Sequence, residues 1–522
     1  VPRTLNNQSN THRKSGDLEK DRRYLEESVA QQMSHDGDPH LAFRTGMNLA
    51  MTALETGSAE EGRERSEQAR HAAEEAIAHS DLVWGAFYYY RGTIQRQLNN
   101  SVAAARDYRR GLQLRAEQGY SEDFDTAELL VGLAVSEMES GKTSEALEHL
   151  GKAAVMMAPL SGTRHPAYIE ILDTIELAHW RRDQFEQAAA AGKEAAAASH
   201  RLMRATIGGL PERQALRFAG RRLSGDDVAV ASALQLQTEG GDTRGTVDML
   251  LRSRSLVFDE MVSRSRLLRE LPDLARIQKT GELRTAKEAL AQLFLVDPAG
   301  FNGRYADQIR TLTDRIENLE SDITEIVASH KDSTIRSVID SAIFAEALPP
   351  GGMSVSYFTY TDPDMTDSDH YLAVVQANND SNPIHLIDLG PSAEIENTIE
   401  EWRDSLLPQN AILPDDDEAE RLYRKVGSRL REQIWDPVAP FLSAADLVFI
   451  VPDGMLGLVS FAALPTPGGS YLVEEGPTLH YLTTERDLLQ DSPAGTGSGL
   501  LAIGHPSFDR RRRSFDPAGL QD

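Results

Sequence analysis

The 522 residues of this chain include no cysteine. Without a thiol the chain can form neither disulfide bonds nor cysteine-ligated metal sites, and it cannot carry out thiol chemistry alone. Long apolar runs are also missing, since none approaches the roughly 18–20 residues that span a bilayer. The first residues, VPRTLNNQSNTHRKSG, lack the apolar core of a signal peptide. These absences predict a cytoplasmic protein.

Positive charge is scarce, with 54 Lys and Arg residues against 81 Asp and Glu residues and a formal net charge of −27. This balance disfavours broad binding to nucleic acid or to anionic membranes, which requires dense Lys and Arg surfaces. It favours solubility and is compatible with a basic protein partner or with a salt-adapted source. The length suggests roughly three domains.

The N-terminal third repeats with a period of 42 residues. Four turn positions are spaced by this period, namely Gly57, Asn99, Gly141 and Asp183. A small residue follows each turn by five positions, namely Gly62, Ala104, Ala146 and Ala188. A turn between helices that approach closely at small residues predicts αα-hairpins. The pattern resembles tetratricopeptide (TPR) repeats, whose usual period is about 34 residues. A non-repeating helical bundle with coincident alanine spacing remains the alternative.

A helical hairpin and then an α/β region are predicted after the repeats. Two long helices within 283–330 are broken at Asp297–Gly300, and the second has an apolar seam formed by Ile309, Leu312, Ile316, Leu319, Ile323 and Ile326. The period then becomes strand-like at Met353–Tyr360, Tyr371–Gln376 and Ile384–Leu389, which predicts antiparallel hairpin strands. Helices are predicted at Ser392–Leu406 and Asp417–Trp435, and buried strands at Leu447–Val451 and Leu500–Ile503. Alternating strands and helices predict an α/β sandwich with a partly parallel sheet.

Several phrases of the C-terminal third resemble the CHAT domain, a caspase-like family of cysteine peptidases that is found with TPR repeats. They are ALPPGG (Ala347–Gly352), HLIDLGP (His385–Pro391), IVPDG to FAALP (Ile450–Pro465) and LLAIGHPSF (Leu500–Phe508). The phrases at Leu210–Arg222 and Met249–Arg266 resemble the helical connector that often precedes this domain. With the repeats, they make the chain similar to the TPR-CHAT family.

The resemblance implies a TPR-like α-solenoid, a helical connector and the N-terminal portion of a caspase-like α/β sandwich. The predicted divisions are a polar segment at 1–37, repeats at 38–200, a connector with a helical hairpin at 201–335 and an incomplete CHAT domain at 336–522. In the family, the catalytic His and Cys lie in phrases like H-F-A-T-H-G and L-S-A-C-x-T, normally after the segment that matches Leu500–Phe508. Neither phrase occurs in this sequence. We therefore assign no catalytic residue, cofactor or metal to the chain.

The tail after the last predicted strand contains four consecutive arginines, Arg510, Arg511, Arg512 and Arg513. Surface loops of caspase-like folds are sites of activating cleavage. We hypothesise that residues 504–522 form an exposed, protease-sensitive loop and that Asp522 is a processing edge. Two other candidates, His505 and Asp453, are interpreted as turn residues.

By resemblance, the chain is predicted to be the sensor and partial protease domain of a cysteine endopeptidase. The expected partners are the C-terminal remainder of the CHAT domain, in the same or a separate chain, and a protein bound to the repeats. The family also implies a role in bacterial defence, including RNA-guided effector complexes and cell-death pathways. The alternative is a non-catalytic TPR scaffold. A third, weaker possibility is an RNA-sensing surface on 201–270, where Arg residues outnumber acidic ones, although Arg pairing with surplus carboxylates is the favoured interpretation.

Overall fold

A computed structural model describes most of the chain between residues 18 and 489. The described ranges are 18–33, 39–56, 82–163, 165–207, 210–219, 226–254, 274–294, 305–328, 339–364, 368–378, 383–406 and 416–489, with a few single positions at 5, 9 and within 61–69. Helices fill the N-terminal two thirds of these ranges, and all the strands lie in the last third. None of the helices within these ranges has the length and apolar character that a membrane crossing requires.

Paired helices form the N-terminal region. They are α1 Leu18–Met33, α2 Pro39–Glu55, α3 Leu82–Gln97, α4 Ser101–Glu117, α5 Phe124–Glu139, α6 Thr143–Ser161, α7 Pro166–Trp180 and α8 Phe185–Ile207. Helices α3 and α4, α5 and α6, and α7 and α8 pack against each other as successive hairpins. Contacts of α5 with α4 and of α7 with α6 stack one hairpin on the next, which is the arrangement of an α-solenoid.

One backbone geometry closes each of these three hairpins. The predicted turn positions Asn99, Gly141 and Asp183 have positive φ values of 58°, 76° and 55°. After each turn residue the next N–H bonds the carbonyl five positions earlier, from Asn100 to Gln95 at 2.8 Å, from Lys142 to Glu137 at 2.8 Å and from Gln184 to His179 at 3.0 Å. A left-handed residue followed by this bond ends a helix and reverses the chain. The fourth predicted turn, Gly57, lies outside the described residues.

Three of the four predicted small residues pack in the apolar clusters between the helices. Ala104, Ala146 and Ala188 are completely buried. In the first of these hairpins a Cβ atom placed on Gly92 would lie 2.9 Å from the Tyr108 ring, closer than real Cβ contacts. The small-residue pattern therefore reflects helix packing, as the sequence predicted.

A connector follows, with helices α9 Glu212–Ala219, α10 Asp226–Thr238, α11 Arg244–Ser253, α12 Leu274–Phe294 and α13 Tyr305–Ala328. Helices α12 and α13 pack together as the predicted helical hairpin, with Leu319 and Ile323 of the seam buried. Lys279 and Asp322 join the two helices at 2.5 Å. The predicted break at 297–300 lies outside the described residues.

The C-terminal region is a mixed five-stranded sheet in the order β3-β2-β1-β4-β5. Its strands are β1 Gly352–Thr361, β2 Asp369–Ala377, β3 His385–Pro391, β4 Leu447–Val451 and β5 Thr478–Tyr481. β2 runs antiparallel to β1 and β3, whereas β4 runs parallel to β1 and β5. The remaining helices are α14 Ser341–Ala347, α15 Ser392–Leu406, α16 Asp416–Ile434 and the single turn α17 Leu472–Glu475, and short 3₁₀ segments occur at Ala439–Leu442, Gly454–Leu458, Phe461–Ala463 and Glu485–Leu489.

The three predicted hairpin strands, the predicted strand after them and the two predicted helices of this region are present, with β4 and α15 at their predicted bounds. The edge strand β5 was not predicted. The apolar residues between β4 and Pro465 form 3₁₀ turns rather than a regular helix or strand. The predicted strand Leu500–Ile503 lies outside the described residues.

Two apolar cores cover the two faces of the sheet. On one face Val355 and Tyr357 of β1 pack with α15 and α16. On the other face Phe358 and Tyr360 share a core with α10, with α11 and with Trp180 at the end of α7. The last repeat hairpin, the connector and the sheet are thus built around one continuous core.

A glutamine from the connector occupies the outer edge of β3. The Gln237 side chain donates to the Leu386 carbonyl and accepts from the Leu386 N–H, both at 2.8 Å. This amide takes the place that a neighbouring strand would otherwise fill, and it protects an edge that could pair with another chain.

Candidate functional site

The repeats enclose a groove lined mainly by the first helices of the three hairpins, α3, α5 and α7, which we call the repeat groove. Its volume is about 400 Å³. The apolar part of its lining includes Val131, Val135, Ile171 and Leu177. Tyr108 of α4 fills the space beneath Gly132, because a Cβ atom there would lie 2.5 Å from the Tyr108 ring. Glycine at this position therefore lets α5 pack directly on the aromatic side chain.

The 42-residue period places equivalent residues side by side around this groove. Glu128 and Glu170 are one period apart and lie near the N-terminal ends of α5 and α7. We call this pair the acidic rim. Arg96 in the last turn of α3 and Arg181, which caps the C-terminus of α7, line the opposite end, which we call the basic rim. Charges of opposite sign therefore face the two ends of one groove.

The basic rim is partly neutralised. Arg96 lies 3.8 Å from Glu139, and its Nε atom is buried without a hydrogen-bond partner. Glu139 also accepts a hydrogen bond of 2.5 Å from Ser101. Glu139 lines this end of the groove as well, so the two arginines of the basic rim lie beside one carboxylate.

Tyr89 of α3 connects the acidic rim to the groove floor. Its ring lies 6.2 Å from the Tyr108 ring. Burial raises the pKa of the Tyr89 hydroxyl well above its ordinary value, and the nearby carboxylates of Glu128 and Glu170 add to the increase. The hydroxyl therefore remains a neutral donor beside two carboxylates.

A second candidate region is the sheet edge where the parallel strands β1, β4 and β5 end, the side on which α/β proteins commonly place functional groups. The turn after β4 depends on Gly454, whose φ is +53°. A Cβ atom at Gly454 would lie 2.6 Å from Tyr371 Oη. Asp453 accepts the Gly454 N–H at 2.9 Å, so it forms the turn, as the sequence predicted.

One cation from the connector is buried at this edge. Arg254, the residue after α11, pairs with Glu485 at 2.8 Å, and the exposed fractions of the two side chains are 10% and 0%. Its guanidinium also donates to the Tyr357 carbonyl and lies 4.0 Å from the centre of the Phe358 ring. Arg254 therefore ties the connector to β1 and to the segment after β5.

The described residues provide no catalytic pair. A thiolate cannot come from this sequence, which has no cysteine, and no cluster of potential metal ligands is found in the part of the chain that the structure describes. The candidate processing residues Arg510, Arg511, Arg512, Arg513 and Asp522 lie outside the described residues, as does His505.

Sequence reasoning missed both the groove charges and Arg254. The spacing of Glu128 and Glu170 by one repeat period is a signal that was present in the sequence. For Arg254 no such signal exists, because its partner Glu485 is 231 residues away.

Comparison with known families gives two matches. The CHAT domain family matches residues 424–521, which include the second half of α16, β4 and β5. A tetratricopeptide repeat family matches residues 125–199, which cover almost all of α5 to α8. No curated protein matches the chain.

Solved structures with helical repeats are similar to parts of the chain. BtubC (BKLC) from P. vanneervenii is 14% identical, with coverage of 50% of this chain and 94% of that one and a TM-score of 0.32. A putative kinesin light chain with TPR-like repeats from Podosopora anserina is 18% identical, with coverage of 38% and 94% and a TM-score of 0.31. A Rap protein complexed with competence and sporulation factor is 14% identical, with coverage of 62% and 98% and a TM-score of 0.28.

The repeat hairpins and the mixed sheet agree with the two family matches in kind and in position along the chain. The chain thus carries a region that matches the tetratricopeptide repeat family and, after it, a region that matches the CHAT domain family, which is the combination that the resemblance to TPR-CHAT proteins predicts.

Proposed function

We propose that this chain is the sensor and partial protease domain of a cytoplasmic TPR-CHAT cysteine endopeptidase, and that a protein bound to the repeats controls the CHAT domain. The observation that carries the proposal is the shared core. The last repeat hairpin, the connector and one face of the sheet bury their apolar side chains together. A change in the repeats therefore alters packing against the strands themselves.

Polar contacts reinforce this connection at the ends of the strands. Trp180 at the end of α7 donates to Asp364 at 3.0 Å, and the Thr361 N–H at the end of β1 donates to Asp227 of α10 at 2.8 Å. Asp364, after β1, thus accepts a hydrogen bond from the repeats, and Asp227 of the connector accepts one from the sheet. A partner can shift the CHAT domain between two arrangements only if it binds them with different affinity, and these contacts are where the two arrangements would differ.

The chemistry would be thiol-based. In the proposed enzyme a histidine acts as a base or orients the thiol, and a cysteine thiolate attacks the peptide carbonyl. Both residues would be supplied by polypeptide other than these 522 residues, as the remainder of the CHAT domain. Self-cleavage in 504–522 and a role in bacterial defence, either RNA-guided or in cell death, form part of the same proposal and rest on the family resemblance.

The coding sequence beyond Asp522 provides the first test. We expect it to continue with phrases like H-F-A-T-H-G and L-S-A-C-x-T, and we expect the complete protein to cleave peptides in a mixed library. Replacement of the new cysteine by alanine should abolish cleavage, and comparison of intact masses between the two proteins would reveal self-processing. A stop codon, or cleavage that survives the cysteine replacement, would contradict the peptidase proposal.

The second candidate is a non-catalytic scaffold in which the repeats bind a protein and the CHAT region is structural. The lack of cysteine favours it. It predicts that the complete protein binds its partner through the repeats but shows no cleavage with or without that partner.

A further inference from the structure

We propose that the four consecutive arginines Arg510–Arg513, which lie outside the described residues, bind an acidic surface where the last repeat hairpin, the connector and the sheet meet. The inference concerns contacts within this chain and does not depend on the proposed function, so each can fail without the other. We call this surface the acidic joint. It consists of Glu176 of α7, Asp226 and Asp227 of α10, Asp362 and Asp364 after β1, and Asp388 of β3.

Contacts between three regions of the chain hold the acidic joint together. The Thr361 N–H at the end of β1 donates to Asp227 of the connector at 2.8 Å. Asp364 accepts from the Trp180 indole of the repeats at 3.0 Å, and its own N–H donates to Asp362 at 2.9 Å. The acids therefore form one surface only while these regions stay packed. Movement between the regions would release the arginines and make the segment 504–522 accessible to a protease.

The electrostatic environment of the joint is negative. Burial raises the pKa of Glu176 to about 9, and the charges of nearby aspartates, including two of the joint, add to the increase. Burial also raises the pKa of the Tyr360 hydroxyl beside the joint, and the charge of Asp388 adds to that increase. Concentrated charge of one sign attracts a segment with concentrated charge of the other sign.

Two buried side chains at the joint have atoms that lack a hydrogen-bond partner. One is a carboxyl oxygen of Glu176, a residue that is 4% exposed. The other is Nε2 of His370, a residue that is 5% exposed and whose Nδ1 lies 3.1 Å from Asp388. Because Asp388 accepts the Nδ1 proton, Nε2 is an acceptor. A guanidinium group has five donors, so it can bind such acceptors and a carboxylate together.

The described part of the chain ends near the joint. Leu488 and Leu489 pack against the core that also contains Tyr360 at the end of β1. Twenty-one residues lead from Leu489 to Arg510, and many of them are Gly, Ser or Pro. A coil of this length has a root-mean-square end-to-end distance of about 25 Å. The arginines can therefore reach the joint, and the connection gives them an effective concentration in the millimolar range.

A second pair of arginines, Arg221 and Arg222, precedes α10 and is the competing occupant. Cations fixed to the start of α10 would remain beside Asp226 and Asp227. The acids of the joint extend from α7 across the end of β1 to β3, and a run of four arginines supplies cations along that length. An extended run of four residues covers about 13 Å. The run at 510–513 is therefore the better match.

The test exploits the absence of cysteine, which allows one spin label to be placed on the whole chain. Ser514→Cys puts the label beside the arginine run. Electron paramagnetic resonance should show a slowly moving label, and 1 M NaCl should release it without unfolding the protein. Replacement of all four arginines by glutamine, or Asp364→Asn combined with Asp388→Asn, should reduce the slow component at least fivefold. Asparagine keeps an acceptor oxygen at both positions, so the folded surface is retained.

A second label locates the arginine run. Ala393 is exposed just after β3, and Ala393→Cys combined with Ser514→Cys should give one narrow distance distribution that broadens in the Asp364 and Asp388 variant. Glu145→Gln combined with Glu148→Gln, on the exposed side of α6, removes two charges elsewhere and should change nothing.

Three outcomes would overturn the inference. The label at 514 could move freely in the unmodified chain, or its slow motion could survive both high salt and the Asp364 and Asp388 changes. The slow motion could also be lost with Arg221→Gln and Arg222→Gln but persist when the run at 510–513 is replaced. None of these outcomes bears on whether a partner of the repeats controls the CHAT domain.

Discussion

Buried ionisable side chains govern the behaviour of this molecule at the residue scale. Glu176 of α7 is only 4% exposed and has one carboxyl oxygen without a hydrogen-bond partner. Burial raises the pKa of Glu176 to about 9, and the charges of Asp173, Asp226 and Asp227 add to the increase. The carboxyl is therefore protonated in the folded protein at neutral pH but ionised in the unfolded chain.

Glu176→Gln should stabilise the protein, and the gain should grow with pH. Because the folded-state pKa is the higher one, the wild-type contribution is greatest below about pH 4.5 and falls as pH rises toward 9. Glutamine does not ionise, so the variant avoids the cost of protonating Glu176 on folding. This cost amounts to about 3 kcal/mol of folding free energy at pH 7. Melting temperatures of both proteins at pH 5, 7 and 8.5 check the prediction, and a difference that does not change with pH would contradict it.

Arg254 differs from Glu176 because its buried charge has an ion-pair partner, Glu485. Removing it leaves Glu485 buried without its ion-pair partner, so Arg254→Met should cost about 3–5 kcal/mol. Adding Glu485→Gln should recover part of the loss, because the unpaired charge is removed. Urea unfolding of the single and double variants measures the coupling. Arg201→Met, which changes an exposed arginine, is the control and should be nearly neutral, and additive effects at 254 and 485 would contradict the assignment.

Hairpin turns set the stability of the repeats at the scale of elements. Two of the three turns use residues other than glycine at positive φ, Asn99 and Asp183. Such residues tolerate this conformation at a cost that glycine avoids. The repeat therefore retains strain at two turns that the middle turn, with Gly141, does not have.

Substitutions at the turns should follow this conformational rule. Asp183→Gly should raise stability by about 0.5–1 kcal/mol, whereas Gly141→Ala should lower it by about 1 kcal/mol. A Cβ atom at Gly141 meets nothing within 4 Å, so the effect there arises from the backbone alone. Thermal unfolding measures both changes. An unchanged melting temperature for Gly141→Ala would show that the turn does not limit stability.

The same elements show what sequence could reveal. The turns at Asn99, Gly141 and Asp183 were predictable because a helix-ending conformation must recur wherever the repeat recurs. The long strands were predictable from their β-branched and aromatic residues. Strand β5 was not, because its four residues, Thr478–Tyr481, are mostly exposed and have no periodicity. Only the acidic rim of the repeat groove could be predicted from the sequence, because its two residues are one repeat period apart and those of the basic rim are not.

The shared core links distant parts of the chain at the scale of the whole molecule. Trp180 belongs to the repeats but packs within the core that covers one face of the sheet. Its indole also donates to Asp364 just after β1, 184 residues later in the chain. Energetic coupling between the repeats and the sheet requires such a contiguous physical connection.

Trp180→Ala should therefore loosen the sheet as well as the repeats. We expect faster hydrogen exchange in β1 and β2, together with a loss of stability of about 3–5 kcal/mol. Trp180→Phe should preserve much of the packing while losing the bond to Asp364. Val155→Ala, at a residue that is 78% exposed on α6, should change neither. Exchange that increases in α7 and α8 alone would show that the two regions are energetically separate.

The position of Gln237 limits where the chain can be cut into separate fragments. The amide that occupies the margin of the sheet comes from the connector, so the sheet does not supply its own protection against self-association. A fragment cut near residue 336 would leave the Leu386 amide and carbonyl open to a second copy. Protection of this sheet edge is therefore provided by the connector, and fragments intended for biochemical work should retain α10.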